Sequence, residues 1–136
     1  MKAPEGLEIR GIDHVVLRVA DVQRSLRFYC DALGCREERR LEALGLYQLR
    51  AGSALIDLVD VASPLGRAGG PPPGDQGRNV DHVALRIAEF DEVRLRAHLQ
   101  AHGVEPGEVG ERYGAAGLGP SMYIRDPDGN TIELKG

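Results

Sequence analysis

The chain has no tryptophan, two phenylalanines and four tyrosines. That is a poor supply for a ligand groove walled by stacked rings. Cysteine is scarce too. Cys30 and Cys35 stand five apart, a spacing that fits no zinc or redox motif. One falls in an expected helix and the other just past it, and two free thiols in a reducing cytoplasm are the expectation. No apolar run approaches the roughly 18–20 residues needed to span a bilayer, so no membrane segment is expected. The opening Met1-Lys2-Ala3-Pro4-Glu5-Gly6 does not read as a signal peptide. Long basic blocks are missing as well, and a net charge of −4 with a pI near 5.6 argues against nucleic-acid binding.

What is present is a repeat. Ile12-Asp13-His14-Val15-Val16-Leu17-Arg18-Val19-Ala20-Asp21 returns as Val80-Asp81-His82-Val83-Ala84-Leu85-Arg86-Ile87-Ala88-Glu89. Six of the ten positions are identical and the others are conservative exchanges. At 136 residues, 42% hydrophobic and 28% charged, the chain suits one domain spanning 1–136 with a real core. Each half alone is marginal in size, so the halves must stabilise each other or a partner chain.

Both copies of the repeat alternate as strands do. Val15, Leu17 and Val19 share one face, and His14, Val16 and Arg18 share the other; Val83, Leu85 and Ile87 oppose His82, Ala84 and Arg86 in the same way. The apolar faces should pack on helices, leaving each histidine on the far side of its sheet. Asp21 is placed to cap a helix carrying Val22, Leu26, Tyr29 and Leu33 and ending at Gly34. A second helix carries Phe90, Val93 and Ala97 and ends at Gly103. Three short strands are expected after each helix, at 36–43, 46–50 and 54–61, then at 108–113, 121–125 and 130–135. Asp126-Pro127-Asp128-Gly129 makes the last turn. The fold class is therefore α+β: two tandem βαβββ modules, about 9–62 and 80–136. The stretch 63–79, with Gly-Gly-Pro-Pro-Pro-Gly inside it, reads as a linker without regular structure. The glycine-rich stretch 110–120 reads as a loop or lid.

The ends of the modules match like their beginnings. Leu55-Ile56-Asp57-Leu58 aligns with Thr131-Ile132-Glu133-Leu134, which puts Asp57 and Glu133 at equivalent places on the histidine-bearing faces. His14, His82, Asp57 and Glu133 converge if the modules pair about a pseudo-twofold. Imidazole and carboxylate suit one divalent ion of Ni, Co, Mn, Fe or Zn, with positions left for a chelating substrate and a carboxylate to shuttle a proton. Tyr123 and Arg125 share strand parity and are candidate substrate-binding residues. His98 and His102 are four apart on the second helix but lack an accompanying acid, so a solvated helix face is expected. Asp126 and Asp128 resemble the opening of a calcium loop, yet Thr131 stands where such a loop needs glycine, and turn formation accounts for them.

These residues resemble the vicinal oxygen chelate superfamily of glyoxalases, bleomycin-resistance proteins and ring-cleaving dioxygenases, a resemblance that implies two βαβββ modules forming an incomplete barrel, or cup, around a metal site. The resemblance runs from about Ile9 to Lys135. Its most specific parts are His14-Val15-Val16-Leu17-Arg18-Val19-Ala20-Asp21 with Arg24-Ser25-Leu26-Arg27-Phe28-Tyr29, and Asp126-Pro127-Asp128-Gly129-Asn130-Thr131-Ile132-Glu133-Leu134. The first stretch is similar to bacterial lactoylglutathione lyases. That similarity implies His14, Asp57, His82 and Glu133 as metal ligands, Glu133 as catalytic base, and Arg18 as a contact to the anionic end of a substrate. Two positions depart from the pattern: Asp57 stands where those enzymes usually have glutamate, and Val61 where a polar contact is expected. A set of His14, His82 and Glu133 alone matches the dioxygenases and fosfomycin thiol transferases.

The function expected is thus a metal-dependent glyoxalase-type lyase or isomerase acting on a small oxygen-chelating substrate, as a cytoplasmic homodimer. The alternatives are an extradiol-type dioxygenase or thiol transferase and, in a different class, a non-catalytic drug- or metabolite-binding protein.

Overall fold

The computed structural model describes residues 5–136; Met1–Pro4, part of the terminus weighed above as a signal peptide, lie outside the described residues. Strand β1 (His14–Val19) leads through the Asp21 cap into helix α1 (Val22–Leu26). The Asp21 carboxylate accepts the Arg24 amide at 3.1 Å, as its place in the sequence implies. The helix continues as a wider, π-helical turn, Arg27–Ala32. That turn brings Phe28, Tyr29 and Ala32 inward, whereas a uniform 3.6-residue period had pointed Leu26, Tyr29 and Leu33 there. Strands β2 (Arg36–Leu41), β3 (Leu46–Ala51) and β4 (Ala54–Asp60) complete the first module.

The second module repeats the order: β5 (Val83–Arg86), α3 (Glu92–Ala101), β6 (Val109–Gly114), β7 (Gly117–Arg125) and β8 (Thr131–Lys135). Two four-stranded sheets result, ordered β1-β4-β3-β2 and β5-β8-β7-β6, each with one parallel and two antiparallel pairings. Two expectations change. The linker holds a short helix, α2 (Pro64–Ala68), because Ser63 caps it and Pro64 presets its first turn. The stretch 110–120 is no lid: β6 and β7 pair through it as a hairpin, its glycines letting the strands lie close and turn at Gly117, whose φ is +97°.

One core joins the apolar faces of both sheets with the helices. Leu17, Val19, Leu49, Ile56 and Leu58 from the first module meet Leu99, Met122, Ile124, Ile132 and Leu134 from the second, with Phe28 and Tyr29 among them. Polar contacts reinforce that junction. Asp126 accepts hydrogen bonds from the Tyr29 hydroxyl at 2.5 Å and from the amides of Asp128 and Asn130. Asp128 accepts from the Ala20 amide at 2.9 Å. Burial first, then Asp126, pushes the Tyr29 hydroxyl far above the usual phenol range. The modules therefore share a core within one chain, and the sheet faces turned away from it carry the histidines. Among the described residues, no helix is long and apolar enough to cross a membrane.

Candidate metal centre

Parallel pairing sets Val16 beside Asp57 and Ala84 beside Glu133; antiparallel pairing sets Gln48 and Tyr123 beside the same two acids. Each histidine lies two residues before Val16 or Ala84, hence on the acid's face. Each acid is nearly buried, Asp57 at 4% and Glu133 at 6% exposure, while both imidazoles reach solvent.

The two halves orient their imidazoles alike. His14 Nδ1 lies 2.6 Å from Asp13 Oδ1, and His82 Nδ1 lies 2.7 Å from Asp81 Oδ2. A carboxylate on Nδ1 fixes the ring and leaves Nε2 bare, the arrangement found behind metal-binding histidines. The Asp13 hydrogen bond, then the charge of Asp57, raises the His14 pKa above the ordinary imidazole value. The His82 hydrogen bond lowers that of Asp81. These two aspartates were overlooked in the sequence, although each stands inside the repeat directly before its histidine.

The acids differ. His82 Nε2 is 3.4 Å from Glu133 Oε1. Asp57, one methylene shorter, has Oδ2 held by Gln48 Nε2 at 3.2 Å, and its buried Oδ1 has no hydrogen-bond partner. An unpartnered buried carboxylate oxygen is costly and marks a place where something else donates or coordinates. Among the described residues, no three of His, Cys, Asp and Glu converge within the chain. The four candidate ligands form two pairs, His14–Asp57 and His82–Glu133, on the two outward faces.

The other candidates fall as follows. The Arg18 guanidinium donates to the carbonyls of Gly66 and Gly70, and Asn79 brackets its backbone, so Arg18 ties the linker to β1. Tyr123 sits edge-on to His82, ring centroids 5.7 Å apart, under the Arg112 guanidinium. It lines a pocket of about 540 Å³ with His82, Arg125, Arg78 and Thr131. His98 is not merely solvated: its Nε2 donates to Ala32 O at 2.6 Å, bridging the two modules.

A family model described as "Glyoxalase/Bleomycin resistance protein/Dioxygenase superfamily" matches residues 11–134. The chain belongs to this superfamily. Relatives within it include virulence protein STM3117 of Salmonella typhimurium, 30% identical over 90% of this chain and 81% of that protein. The crystal structure of STM3117 superposes with a TM-score of 0.74, covering 95% of this chain and 98% of that one. Glutathione transferase FosA of Serratia marcescens is 32% identical, over 93% of this chain and 80% of the relative. A probable lactoylglutathione lyase of Synechocystis is 28% identical, over 89% and 91%. Glyoxalase, thiol-transferase and dioxygenase relatives thus all share the superfamily fold with this chain.

The cysteines serve no part of this centre. Burial pushes the Cys35 thiol up to about 11 and also raises Cys30. At neutral pH the native protein should therefore alkylate at Cys35 about a hundredfold more slowly than a free thiol. Timed iodoacetamide labelling read by mass spectrometry checks this. Labelling of Cys35 as fast in the native protein as in urea would contradict it.

Proposed function

We propose that the protein is a metal-dependent enzyme of the glyoxalase type that works as a homodimer. Each site takes His14 and Asp57 from one copy and His82 and Glu133 from the other. The observation that carries this reading is the matched pair of half-sites: bare Nε2 beside a buried acid, Nδ1 held by the preceding aspartate, on two outward faces of one chain. A second copy supplies the missing half in the simplest closed symmetry.

The donor set fits a divalent transition ion: two neutral imidazole nitrogens and two carboxylates, one with an unpartnered buried oxygen. When bound, that ion supplies Lewis-acid stabilisation of negative charge developing on substrate oxygen. The chain does the rest. Asp13 and Asp81 hold the imidazoles in the tautomer with Nε2 free. Glu133, buried and opposite Tyr123, takes a proton from the substrate carbon and returns it to the neighbouring one. Tyr123 and Arg125 line the pocket that receives the substrate, and Arg18 ties the linker to β1. The compartment proposed is the reducing cytoplasm, where the free thiols of Cys30 and Cys35 persist.

Purification without chelator, metal analysis, and turnover of the methylglyoxal–glutathione adduct with Ni(II), Co(II), Mn(II) or Zn(II) restored test this reading. Stoichiometric metal and turnover with one of these ions are expected. Absence of any bound transition metal, with a His14→Ala/His82→Ala chain folded as before, would sink it.

A pH effect follows from His14. Metal binding needs the neutral imidazole, so with its pKa raised, protons compete from a higher pH than for an ordinary histidine. Ni(II) affinity should fall as pH drops through that raised value and recover above it. In Asp13→Asn the fall should begin at lower pH, while affinity at high pH weakens by roughly tenfold or more. Calorimetric titrations from pH 6 to 8 check both; identical pH profiles would refute the role given to Asp13.

A further inference from the structure

Arg39, Gln48 and Asp57 stand in one row across three neighbouring strands, β2, β3 and β4. The row ends on β1 at Val16, two residues beyond His14, and so lies on the histidine's face of the sheet. Gln48 Nε2 donates to Asp57 Oδ2 at 3.2 Å, and Arg39 Nη1 donates to Gln48 Oε1 at 3.4 Å. A guanidinium can only donate and an ionised carboxylate can only accept. The two contacts therefore agree on one orientation of the amide. Turned over, it would set its carbonyl against Asp57 and its N–H groups against Arg39.

The row exists because β2 carries a bulge. Glu37 pairs with Leu49, and unbroken pairing would set Glu38 opposite Gln48. The register shifts there, and Arg39 takes that place instead. Glu38 is engaged by Arg50, whose Nε and Nη2 donate to its two oxygens at 3.1 and 2.9 Å. An acid opposite Gln48 would draw the amide N–H groups away from Asp57. A cation draws the carbonyl and leaves them to it. The second module has no such row: β6 starts at Val109 opposite Met122, so no β6 residue stands opposite Tyr123, the partner of Glu133. Glu133 comes within 3.4 Å of His82 Nε2 unaided. Asp57, a methylene shorter, has one oxygen on Gln48 and its buried Oδ1 without a hydrogen-bond partner.

We propose that Gln48, oriented by Arg39, is the positioning residue that makes Asp57 a one-oxygen ligand. The amide keeps Oδ2, and Oδ1 is left for the ion. This inference rests on the metalloenzyme reading. It makes metal affinity depend on an exposed charge on an edge strand, two strands or about 9.6 Å from the acid.

The test is calorimetric titration of the purified protein, stripped of metal, with Ni(II), together with the visible spectrum of the Co(II)-loaded protein. Gln48→Leu should weaken Ni(II) binding at least about tenfold. Its Co(II) spectrum should move towards that of Asp57→Ala, a shift that a merely structural glutamine would not produce. In an Asp57→Ala background, Gln48→Leu should change affinity by less than about twofold, because the amide then has nothing to hold. Arg39→Glu should weaken binding about fivefold by turning the amide over. That loss should fall below about twofold in a Gln48→Leu background, where a purely Coulombic effect of the reversed charge would survive. Unchanged or tighter Ni(II) binding in Gln48→Leu, or an equal loss in the Asp57→Ala background, overturns the positioning role while the metalloenzyme reading stands. A wild type that binds no Ni(II) overturns both. Should Gln48→Leu not fold, Arg39→Glu with and without Asp57→Ala decides by the same comparison.

Discussion

His14→Ala and His82→Ala chains, each inactive alone, should regain about a quarter of wild-type turnover when unfolded and refolded together, since half the dimers are mixed and each keeps one of two sites. The reasoning is geometric. One chain holds His14 with Asp57 and His82 with Glu133 on outward faces, divided by the shared core of Leu17, Ile56, Met122 and Ile132. Removing either histidine leaves every site of a homodimer with one imidazole, and loss of a first-row ligand removes the metal with it. In a mixed dimer one site draws its first module from the His82→Ala chain and its second from the His14→Ala chain, and is intact. Its companion site lacks both histidines. Sites assembled within single chains would give no recovery at any mixing ratio. Turnover that stays at the sum of the two parent proteins would therefore refute the shared-site arrangement.

Asp126→Ala should lower stability by about 3–5 kcal/mol, the largest loss expected from any single polar side chain here. Asp126 is 5% exposed and accepts from the Tyr29 hydroxyl, two backbone amides and Asn130 Nδ2. Truncation strands those donors where water does not reach, and it does so at the junction of the two modules. A melting-temperature drop of roughly 10–15 °C is expected for a chain of this size. Tyr29→Phe removes one donor of the set and should cost about 1–2 kcal/mol. Thermal melts followed by circular dichroism compare the two. A loss under about 1 kcal/mol in Asp126→Ala would show that this network does not hold the modules together.

Much of the fold was legible before any coordinates. The strand alternation around His14 and His82 put the apolar faces inward because a period of two leaves no other arrangement once one face is buried. Asp21 and Gly34 marked the ends of the first helical segment through local chemistry alone. The π-helical turn at Arg27–Ala32 escaped notice because its signal lies in how Phe28 and Tyr29 are both drawn into a core built by distant residues. The hairpin through 110–120 escaped for the opposite reason. Glycines that weaken a strand locally are, on that face, the space into which Lys135 and Arg112 fold.

The candidate ligands could be read off the sequence one by one, and their arrangement in the fold could not. Register alone aligned Asp57 with Glu133, and the pairings with Val16 and Ala84 bear out that equivalence. Which way the two faces point depends on the packing of one module against the other. That packing rests on Asp126, Asp128, Asn79 and His98, whose contacts join residues far apart in the chain. Asp13 and Asp81 could have been singled out by asking what holds Nδ1 of each repeated histidine.

The unequal furnishing of the two faces has a consequence for engineering. The first module offers a short acid steadied by Gln48, whereas the second offers Glu133, Tyr123, Arg112 and Lys135. In the proposed dimer a site draws one face from each, so its two kinds of face lie on separable pieces of a single gene. Grafting a different β1–β4 segment in front of the same β5–β8 segment would exchange one pair of candidate ligands while His82, Glu133 and Tyr123 stayed as they are.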